Sequence, residues 1–463
     1  MKNKLLLIIS LSSILNAQSL KTTVEEVIST NPIILERLKN YDATKETITS
    51  AKSGFYPKLD ISLGVGYERS KREDYAGTST ITEDAQIVNS LGTKVYQNAL
   101  TYTQNLFNGF KTTYQIAQQE HGTVSAAYSY VEKVNNSSFE MVDNYLQVMK
   151  HVELLELAKE NIEINETIFK KVKKLYNSGL TTLSEVNKIE SSLSLAKSNY
   201  VVQENTLLDF TYNLKRSLGR FLDTKKMIKP TFDVKLPDTL ENASQFALIN
   251  NPSLLVSKHN IKLAQAIYKE KEAPYYPSID IEVSQSLNKN LSGIQGTDER
   301  FRAMAYLKYN IFNGFYDNSE LLKSKSRVHQ EVESTNDLRR QVLEGLELSW
   351  TANEKLTLQM KYLQEYKDFS LKTLTLYTKE YDLGRRSLLD LLSAQNDFIA
   401  SRSQIINTQY SMLFAKYRIL DAMGNLVSSI LGTTDNIYSN VGLHGSIPIN
   451  TDSLPIQLDH ENN

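Results

Sequence analysis

Histidine is the side chain that most often carries acid–base or metal chemistry, and this chain of 463 residues has six histidines and no cysteine. They are His121, His151, His259, His329, His444 and His460. No two of them form an H-x-x-x-H metal motif, and the sequence has neither a G-x-S-x-G nucleophile motif nor a phosphate-binding loop. We therefore predict that the protein is not an enzyme and has no cofactor, no catalytic residue and no metal site.

Asparagine and glycine occur together in a motif that is present twice, as NLFNGF from Asn105 and as NIFNGF from Asn310. A phosphate-binding loop would need further glycines and a lysine. Because asparagine caps helices and glycine adopts left-handed backbone angles, the motif instead predicts a hinge where a strand becomes a helix. The prolines of FYP and YYP predict the opposite change, since proline excludes the preceding residue from the α region. The predicted hinge residues are Pro57, Asn108, Gly109, Pro277, Asn313 and Gly314.

The two motifs belong to an internal repeat. NPIILERLKN from Asn31 matches NPSLLVSKHN from Asn251, and Pro57 of GFYPKLDI matches Pro277 of PYYPSIDI, both at an offset of 220 residues. Beyond these points the offset is 205 residues, as between Gly179 and Gly384. The number of residues from the hinge glycine to this later glycine is thus the same in both copies. The difference in length between the copies lies in one loop, between the proline and the hinge glycine. The sequence therefore predicts a duplicated structural unit.

Each copy predicts two strands followed by two helices. Apolar and polar residues alternate from Leu59 to Glu68 and again over residues 279–288 and 301–311, and a noisier pattern covers residues 93–107, as in half-buried strands. Strands of about ten residues match the height of an outer-membrane wall, and the alternation equally fits a half-buried sheet of a soluble protein. Helical periodicity without proline follows over residues 111–175 and 317–383, enough for a rod of about 100 Å and typical of a coiled coil. Each rod ends at a turn, and a second helix is predicted to return to Leu218 or Leu431.

Composition limits the class of protein. The formal charge is −1, from 52 basic and 53 acidic residues, so nothing favours nucleic-acid binding. The mean hydropathy is −0.36, which excludes a polytopic helical membrane protein. Lys2 and Lys4 precede an apolar run that ends before Ala17, and this pattern predicts a secretory signal peptide cleaved after Ala17. The absence of an N-terminal cysteine predicts a protein that is not lipidated.

Four strands cannot close a spanning barrel, for which about eight are needed, and open edges are not tolerated in lipid. If the strands span a membrane, several chains must share one barrel, and three chains would supply twelve strands. The predicted fold class is therefore mainly α with a small β part: a duplicated helix–strand–strand–helix-hairpin unit with a long coiled-coil α-barrel and four strands in a trimeric 12-stranded transmembrane β-barrel.

The predicted organisation divides the chain into nine segments. They are a signal peptide (1–17), a first N-terminal helix (18–56), β-hairpin 1 (57–108), helical hairpin 1 (109–220), an equatorial linker (221–250), a second N-terminal helix (251–276), β-hairpin 2 (277–313), helical hairpin 2 (314–431) and an equatorial tail (432–463) whose end is predicted to be disordered.

The duplicated unit, the two YP turns, LFNGF and IFNGF, and above all YDLGRRSLLDLLSAQNDF resemble the TolC family of outer-membrane efflux and secretion channels. The resemblance covers nearly the whole chain after the signal peptide. It implies a homotrimer in outer-membrane lipid that extends into the periplasm. It also implies a periplasmic adaptor and an inner-membrane transporter of the RND, ABC or MFS type as partners, in a tripartite efflux pump or a type I secretion system.

The resemblance also implies functional residues at the two helical turns. The family has an acidic constriction six residues after the turn glycine, which is Asp390 here, and often a second acid three residues later, where this chain has Ser393. Glu185 is expected to bind Arg386 and Tyr381 and to close the gate with them. The expected adaptor-docking residues are Gly179, Leu180, Thr181, Gly384 and Arg385. Without the resemblance, Glu185 and Arg386 would be interpreted as solvated charges.

An alternative interpretation remains at this stage. A soluble periplasmic coiled-coil scaffold or adaptor would explain the long helices. It would leave the four alternating strands and the duplicated hinges unexplained.

Overall fold

The computed structural model describes residues 18–69, 92–291 and 295–443. The predicted signal peptide, residues 70–91 between β1 and β2, residues 292–294, and the end of the tail from residue 444 lie outside these ranges. The described helices are α1 Leu20–Thr30, α2 Pro32–Lys52, α3 Lys111–Asn177, α4 Leu183–Leu218, α5 Leu240–Asn250, α6 Pro252–Glu270, α7 Tyr316–Asp382, α8 Leu388–Met423, α9 Leu426–Leu431 and α10 Asp435–Asn440. The strands are β1 Lys58–Arg69, β2 Gly92–Asn108, β3 Ser278–Lys289 and β4 Thr297–Lys308. Single 3₁₀ turns occupy Ser53–Phe55, Thr224–Lys226 and Ala273–Tyr275.

The chain forms two compact units. Among the described residues, a helical unit comprises those up to Lys39, Ala127–Leu255 and those from Asp337 to residue 443. A sheet unit comprises Asn40–Ala126 and Val256–Asn336. Each unit takes segments from both repeats, so the compact units are not the two copies of the duplication.

The duplication is visible in the lengths of equivalent elements. Helices α3 and α7 have 67 residues each, and α4 and α8 have 36 each. Strands β1 and β3 have 12 residues each, and α1 and α5 have 11 each. Helix α5 lies within the predicted linker 221–250, so that assignment is corrected: the second copy begins at Leu240, where the first begins at Leu20.

The predicted N-terminal helix 18–56 is in fact two helices. Asn31 has extended backbone angles (φ −68°, ψ 121°), and Pro32, which has no N–H to donate, starts α2 at the position where proline is tolerated. The side chain of Asn31 accepts a hydrogen bond from the N–H of Ile33 at 2.9 Å and so caps α2. The same elbow recurs at Asn251–Pro252 between α5 and α6.

The second return helix is shorter than predicted. It ends at Met423, not at Leu431, because Gly424 adopts a left-handed conformation (φ +76°) that a helix cannot continue. A carbonyl and a side chain close the space around this glycine, since an added Cβ would lie 2.7 Å from Pro252 Cδ and 2.9 Å from the Asn250 oxygen. The segment that follows is the separate short helix α9.

The four strands form one antiparallel sheet in the order β1-β2-β3-β4, and the β2–β3 pairing joins the two repeats. The alternation predicted for β1 is present, with its apolar residues on one face. Their side chains are 68% to 76% exposed, so no described residue covers this face. The residues concerned are Leu59, Ile61, Leu63, Val65 and Tyr67.

Strand β4 differs from its prediction at both ends. It begins at Thr297 and stops at Lys308, whereas alternation continues in the sequence to Ile311. Tyr309 and Ile311 follow the strand without belonging to it.

The core of the helical unit is divided into local clusters. One of them packs α5 against α7 and α8 and consists of Ala243, Phe246, Ala247, Leu346, Ile419 and Met423. Among the described helices, none combines the length and the apolar character needed to cross a lipid bilayer.

Candidate functional site

The first helical turn joins α3 to α4 and is built on a glycine cap. Gly179 has φ +71°, and the N–H of Leu180 beyond it returns to the carbonyl of Leu175 at 2.9 Å. This bond across a left-handed residue satisfies a carbonyl that the end of α3 would leave unpaired. Thr182 then precedes α4, and Glu185 lies in the first turn of that helix.

The second turn joins α7 to α8 and has the same construction. Gly384 has φ +70°, and the N–H of Arg385 bonds the carbonyl of Glu380 at 2.9 Å. Ser387 is the N-cap of α8, and its side chain accepts from the N–H of Asp390 at 3.2 Å. The hydroxyl of Ser387 also donates to the Asp390 carboxylate at 2.8 Å. Asp390 is therefore held at the start of α8, where the helix dipole favours a negative charge.

The two turns share one apolar core. Side chains from all four hairpin helices bury themselves in it, so the turns are packed together within one chain. Its buried members are Val172, Val186, Ile189, Tyr381, Leu388, Leu391 and Leu392.

The predicted pair Glu185–Arg386 is not the pair that Arg386 forms. The Arg386 guanidinium donates from Nε to Glu380 Oε2 at 2.9 Å, and its Nη2 lies 2.8 Å from the same oxygen. It also lies 4.1 Å from the centroid of the Tyr377 ring, a favourable cation–π distance. Glu380 is six residues before Arg386, so this contact braces the second turn and does not link the two hairpins.

Glu185 and Tyr381 lie near each other without a hydrogen bond. The Glu185 carboxylate accepts from the hydroxyl of Thr181, within its own turn. Tyr381 is buried, and its Oη has no hydrogen-bond partner among the described residues. Burial, and then the negative charge of Glu185, raise the pKa of Tyr381. The second predicted contact is therefore electrostatic proximity only.

A link that the sequence did not reveal joins the two hairpins. The Lys171 ammonium on α3 donates to the Asp382 carboxylate at the end of α7. It also lies 5.8 Å from the centroid of the Tyr381 ring. The side chains of the pair are 40% and 46% exposed. Sequence spacing gives no signal for such a pair, because the two residues are 211 positions apart on helices whose facing sides are set by packing.

The expected docking residues lie at the exposed ends of the hairpins. Gly179, Leu180, Gly384 and Arg385 are exposed, and Thr181 is half-buried. Leu180 is 74% exposed. Three further exposed leucines, which are not among the expected docking residues, extend this apolar surface: Leu183, Leu383 and Leu389. Ser393 is also exposed, one helical turn after Asp390.

A buried polar layer lies deeper in the hairpins. Asn165 is only 1% exposed and accepts from Ser192 Oγ at 2.9 Å, and its amide donates to the Asn161 carbonyl at 2.8 Å. The Gln395 amide donates to Asn161 Oδ1 at 3.0 Å. Since buried amides need partners, these bonds fix how α3, α4 and α8 align along their lengths.

The hinge residues lie where the sheet meets its helices. Gly109 (φ +66°) and Gly314 (φ +57°) follow β2 and β4, and Pro57 and Pro277 directly precede β1 and β3. Asn108 caps α3 weakly, accepting from the N–H of Thr112 at 3.4 Å. In the second copy the bond differs, because the amide of Asn313 donates to the Asp317 carboxylate at 3.3 Å.

The elbows of the repeats dock on the ends of the return helices. The amide of Asn31 donates to the Ser217 carbonyl at 3.1 Å, and that of Asn251 donates to the Ala422 carbonyl at 2.9 Å. Next to the second elbow, Asp421 accepts from the Asn135 amide at 2.7 Å and lines a cavity of about 220 Å³. Burial raises the pKa of Asp421 to about 7.

Comparison with known proteins agrees with this architecture. A family model described as outer membrane efflux protein matches residues 23–220 and 243–425. The chain is 21% identical over 390 residues to the outer membrane efflux protein BepC of Brucella suis biovar 1 (strain 1330), covering 84% of this chain and 81% of BepC. It is 20% identical over 444 residues to the outer membrane protein TolC of Escherichia coli (strain K12), covering 92% and 86%.

A solved structure shows the same fold. The chain matches the crystal structure of the Campylobacter jejuni CmeC outer membrane channel with a TM-score of 0.76 at 14% identity, covering 92% of this chain and 90% of that one. The four-stranded sheet with two long helical hairpins is thus the fold of that solved outer-membrane channel. The chain belongs to the outer membrane efflux protein family, which confirms the resemblance to TolC. The protein is the outer-membrane component of an efflux pump.

Proposed function

We propose that three copies of this chain form one channel, which passes substrates from an inner-membrane transporter and a periplasmic adaptor to the exterior. A tripartite efflux pump and a type I secretion system both use such a channel. The observation that carries the proposal is the open sheet, whose apolar face is exposed and whose edge strands β1 and β4 each lack one neighbour among the described strands.

The sheet supports a shared barrel. Four strands are too few to enclose a lumen, and an open edge in lipid would leave backbone N–H and C=O groups unpaired. Pairing β4 of one copy with β1 of the next removes both edges, and three copies supply twelve strands. One face would then contact lipid through residues such as Leu59 and Ile61. The other face, with Asp60, Glu282 and Arg302, would line a wet lumen.

Aromatic side chains mark one end of the apolar face. Tyrosine and related side chains favour the boundary between lipid and water, where an apolar ring and a polar tip are both satisfied. Exposed aromatic residues gather at the hinges between strands and helices, and this supports a membrane boundary at that level. They are Phe55, Tyr56, Phe110, Tyr275, Tyr276, Tyr309, Phe312, Phe315 and Tyr316.

The helical unit supports association in a second way. Helix α7 carries an exposed apolar stripe at helical spacing, formed by Leu358, Tyr362, Tyr366, Phe369 and Leu376. The aromatic members of this stripe are not buried within one chain. Helix α4 carries its own exposed stripe, formed by Leu195, Val201, Val202, Leu208 and Tyr212. Neighbouring copies would bury such stripes as coiled-coil seams do.

The hairpin turns would form the periplasmic gate. In a trimer, three copies of Asp390 would approach one axis as an acidic ring, which Ser393 does not reinforce with a second charge. Lys171–Asp382, with Tyr381 beneath it, would hold the two hairpins of one chain together in the closed state. Glu185 and Arg386 brace their own turns. Opening would then require the hairpins to separate at the shared apolar core.

The same turns would dock the adaptor. Leu180 and its neighbours Leu183, Leu383 and Leu389 offer exposed apolar contacts, and Arg385 offers a charge at the tip. The glycines Gly179 and Gly384 keep the turns narrow, and Thr181 is bonded within its turn. The adaptor would in turn connect the channel to a transporter of the RND, ABC or MFS type.

Fractionation tests the proposal against the alternative, a soluble periplasmic scaffold. We expect the native protein to remain with outer membranes after a carbonate wash and to migrate as a trimer in mild detergent. A peripheral periplasmic protein run in parallel should be released by the same wash. Release of this chain into the soluble fraction as a monomer would contradict the channel.

A further inference from the structure

The two copies of the strand-to-helix hinge differ in their surroundings. In the first copy the Phe110 ring meets Tyr276 edge-on at a centroid distance of 5.7 Å. Gly109 is so close to the second copy's turn that an added Cβ would lie 2.4 Å from the Ala273 carbonyl oxygen. In the second copy an added Cβ at Gly314 would meet nothing within 4 Å, and Phe315 is 73% exposed. The first hinge is covered and its repeat equivalent is open.

The strands show the same difference. The pairing of β2 with β1 stops at Thr103, opposite Lys58. Strand β2 nevertheless continues to Asn108, because its last residues pair with the start of β3. In the second copy β4 ends at Lys308, the equivalent of Thr103 at the offset of 205. Residues 309–313 thus have no partner strand among the described residues, and Ile311 is 88% exposed.

The duplication identifies that partner. Within one chain, the end of β2 pairs with residues 278–281, and the repeat equivalents of these at the offset of 220 are residues 58–61. Residues 58–61 form the free edge of the sheet at the start of β1. The two open parts are thus the two halves of a contact that the chain already makes once, between its own repeats.

We propose that residues 309–313 of one chain pair antiparallel with residues 58–61 of a second, identical chain. The register is the one in which β2 pairs with β3. Asn310 then lies opposite Asp60, and Phe315 packs on Tyr56. This inference rests on the proposed trimer and specifies its strand register.

The residue types at the predicted contact match those at the existing one. The Asn105 amide donates to the Asp280 carboxylate at 2.7 Å, a hydrogen bond strengthened by the charge of its acceptor. The equivalent positions again hold an asparagine and an aspartate, Asn310 and Asp60. In the single chain Asn310 instead accepts from the N–H of Phe312 at 3.0 Å. Asp60 of the second chain would give the amide N–H of Asn310 a charged acceptor, as Asp280 does for Asn105.

The absence of cysteine allows a clean cross-linking test. We expect the double variant Asn310→Cys, Asp60→Cys to form covalent dimers and trimers on oxidation or with a short bis-maleimide, because directly opposed strand residues have Cβ atoms about 5 Å apart. The matched control is Asn105→Cys, Asp280→Cys, which should lose its free thiols without a change of mass on a non-reducing gel.

A slipped pair tests the register itself. A shift of one residue turns the side chain to the other face of the sheet, so Asn310→Cys, Ile61→Cys should give no covalent oligomer. Cross-linking of this slipped pair, or none at Asn310 and Asp60 in a protein that is trimeric in detergent, would overturn the register and leave the trimer standing. A monomeric unmodified protein would overturn both proposals.

Charge substitutions give an independent measurement. Asn310→Asp would place two carboxylates opposite each other, and like charges directly opposed destabilise a strand pair. We expect a smaller trimer fraction in detergent for Asn310→Asp and its recovery in Asn310→Asp, Asp60→Asn. Equal trimer fractions in all three proteins would count against the contact.

Discussion

Charged side chains at the helical turns select partners within reach of their own backbone. Arg386 reaches Glu380 across the second turn, and Glu185 reaches Thr181 in the first. Only Lys171 and Asp382 connect the hairpins among the ion pairs seen at the turns. Because this pair is partly exposed, its contribution is expected to be small and sensitive to salt. In the proposed gate, this pair would therefore add only a little to the apolar core that the two hairpins share.

The Lys171–Asp382 pair can be tested by removing its lysine. Lys171→Ala should raise the single-channel conductance or open probability in planar bilayers, because it removes a link worth up to about 1 kcal/mol, or several-fold in an equilibrium. The effect should shrink at high salt. Lys174→Ala, an exposed lysine in the last turn of α3, is the matched control. Equal conductance for the two variants would remove Lys171 from the gate.

The elbow between α5 and α6 is fixed to the end of α8 by the hydrogen bond from Asn251 to the Ala422 carbonyl, and a buried carboxyl lies beside it. Asp421 accepts from Asn135, and the other ionisable groups that line its cavity are Glu132 on α3 and Arg418 on α8. Burial raises the pKa of Asp421 to about 7 from 3.8, so the folded state binds a proton that the unfolded state has released. The stability from this group is complete below 3.8 and is lost as the pH rises through 7.

This gives a prediction about pH. Between pH 5 and pH 8 the wild-type protein should lose about 3 kcal/mol of stability from this group, and Asp421→Asn should be stabilised relative to wild type at pH 8. Melting temperatures of both proteins at the two pH values provide the measurement. Asp397→Asn, at an exposed position of the same helix, should leave the wild-type pH dependence unchanged. An Asp421→Asn variant that keeps that dependence would show that another group causes it.

Much of the element structure was predictable because local rules decide it. Long stretches without proline, each with a single glycine, predicted α3 and α7 to within a few residues, and Gly179 and Gly384 predicted the turns. The elbow at Asn31–Pro32 was missed although its proline was a visible signal. The end of β4 could not be read from alternation, because pairing partners, not side-chain pattern, determine where a strand stops. The Lys171–Asp382 link depends on which helix faces meet, and the roles of Asp390 and the docking turns stay predictions.

In the proposed barrel, the two faces of one sheet lie in opposite environments, lipid and water. Adjacent residues of β1 therefore provide a matched pair. Ile61→Arg would place a charge on the proposed lipid face, where such substitutions cost about 2–4 kcal/mol near the midplane. We expect little assembled protein in the outer-membrane fraction for Ile61→Arg and near-normal amounts for Ser62→Arg on the opposite face. Equal recovery of both would contradict the orientation of the sheet.

The order β1-β2-β3-β4 leaves one free strand at each side of the sheet, and this has a consequence for the kinetics of assembly. A single chain has two unpaired strand edges, and two joined chains would still have two. In the proposed assembly, every incomplete oligomer would thus bind a further chain, or aggregate, as readily as the first chain did. Closure alone abolishes the unpaired edges, so growth terminates by geometry without a separate signal.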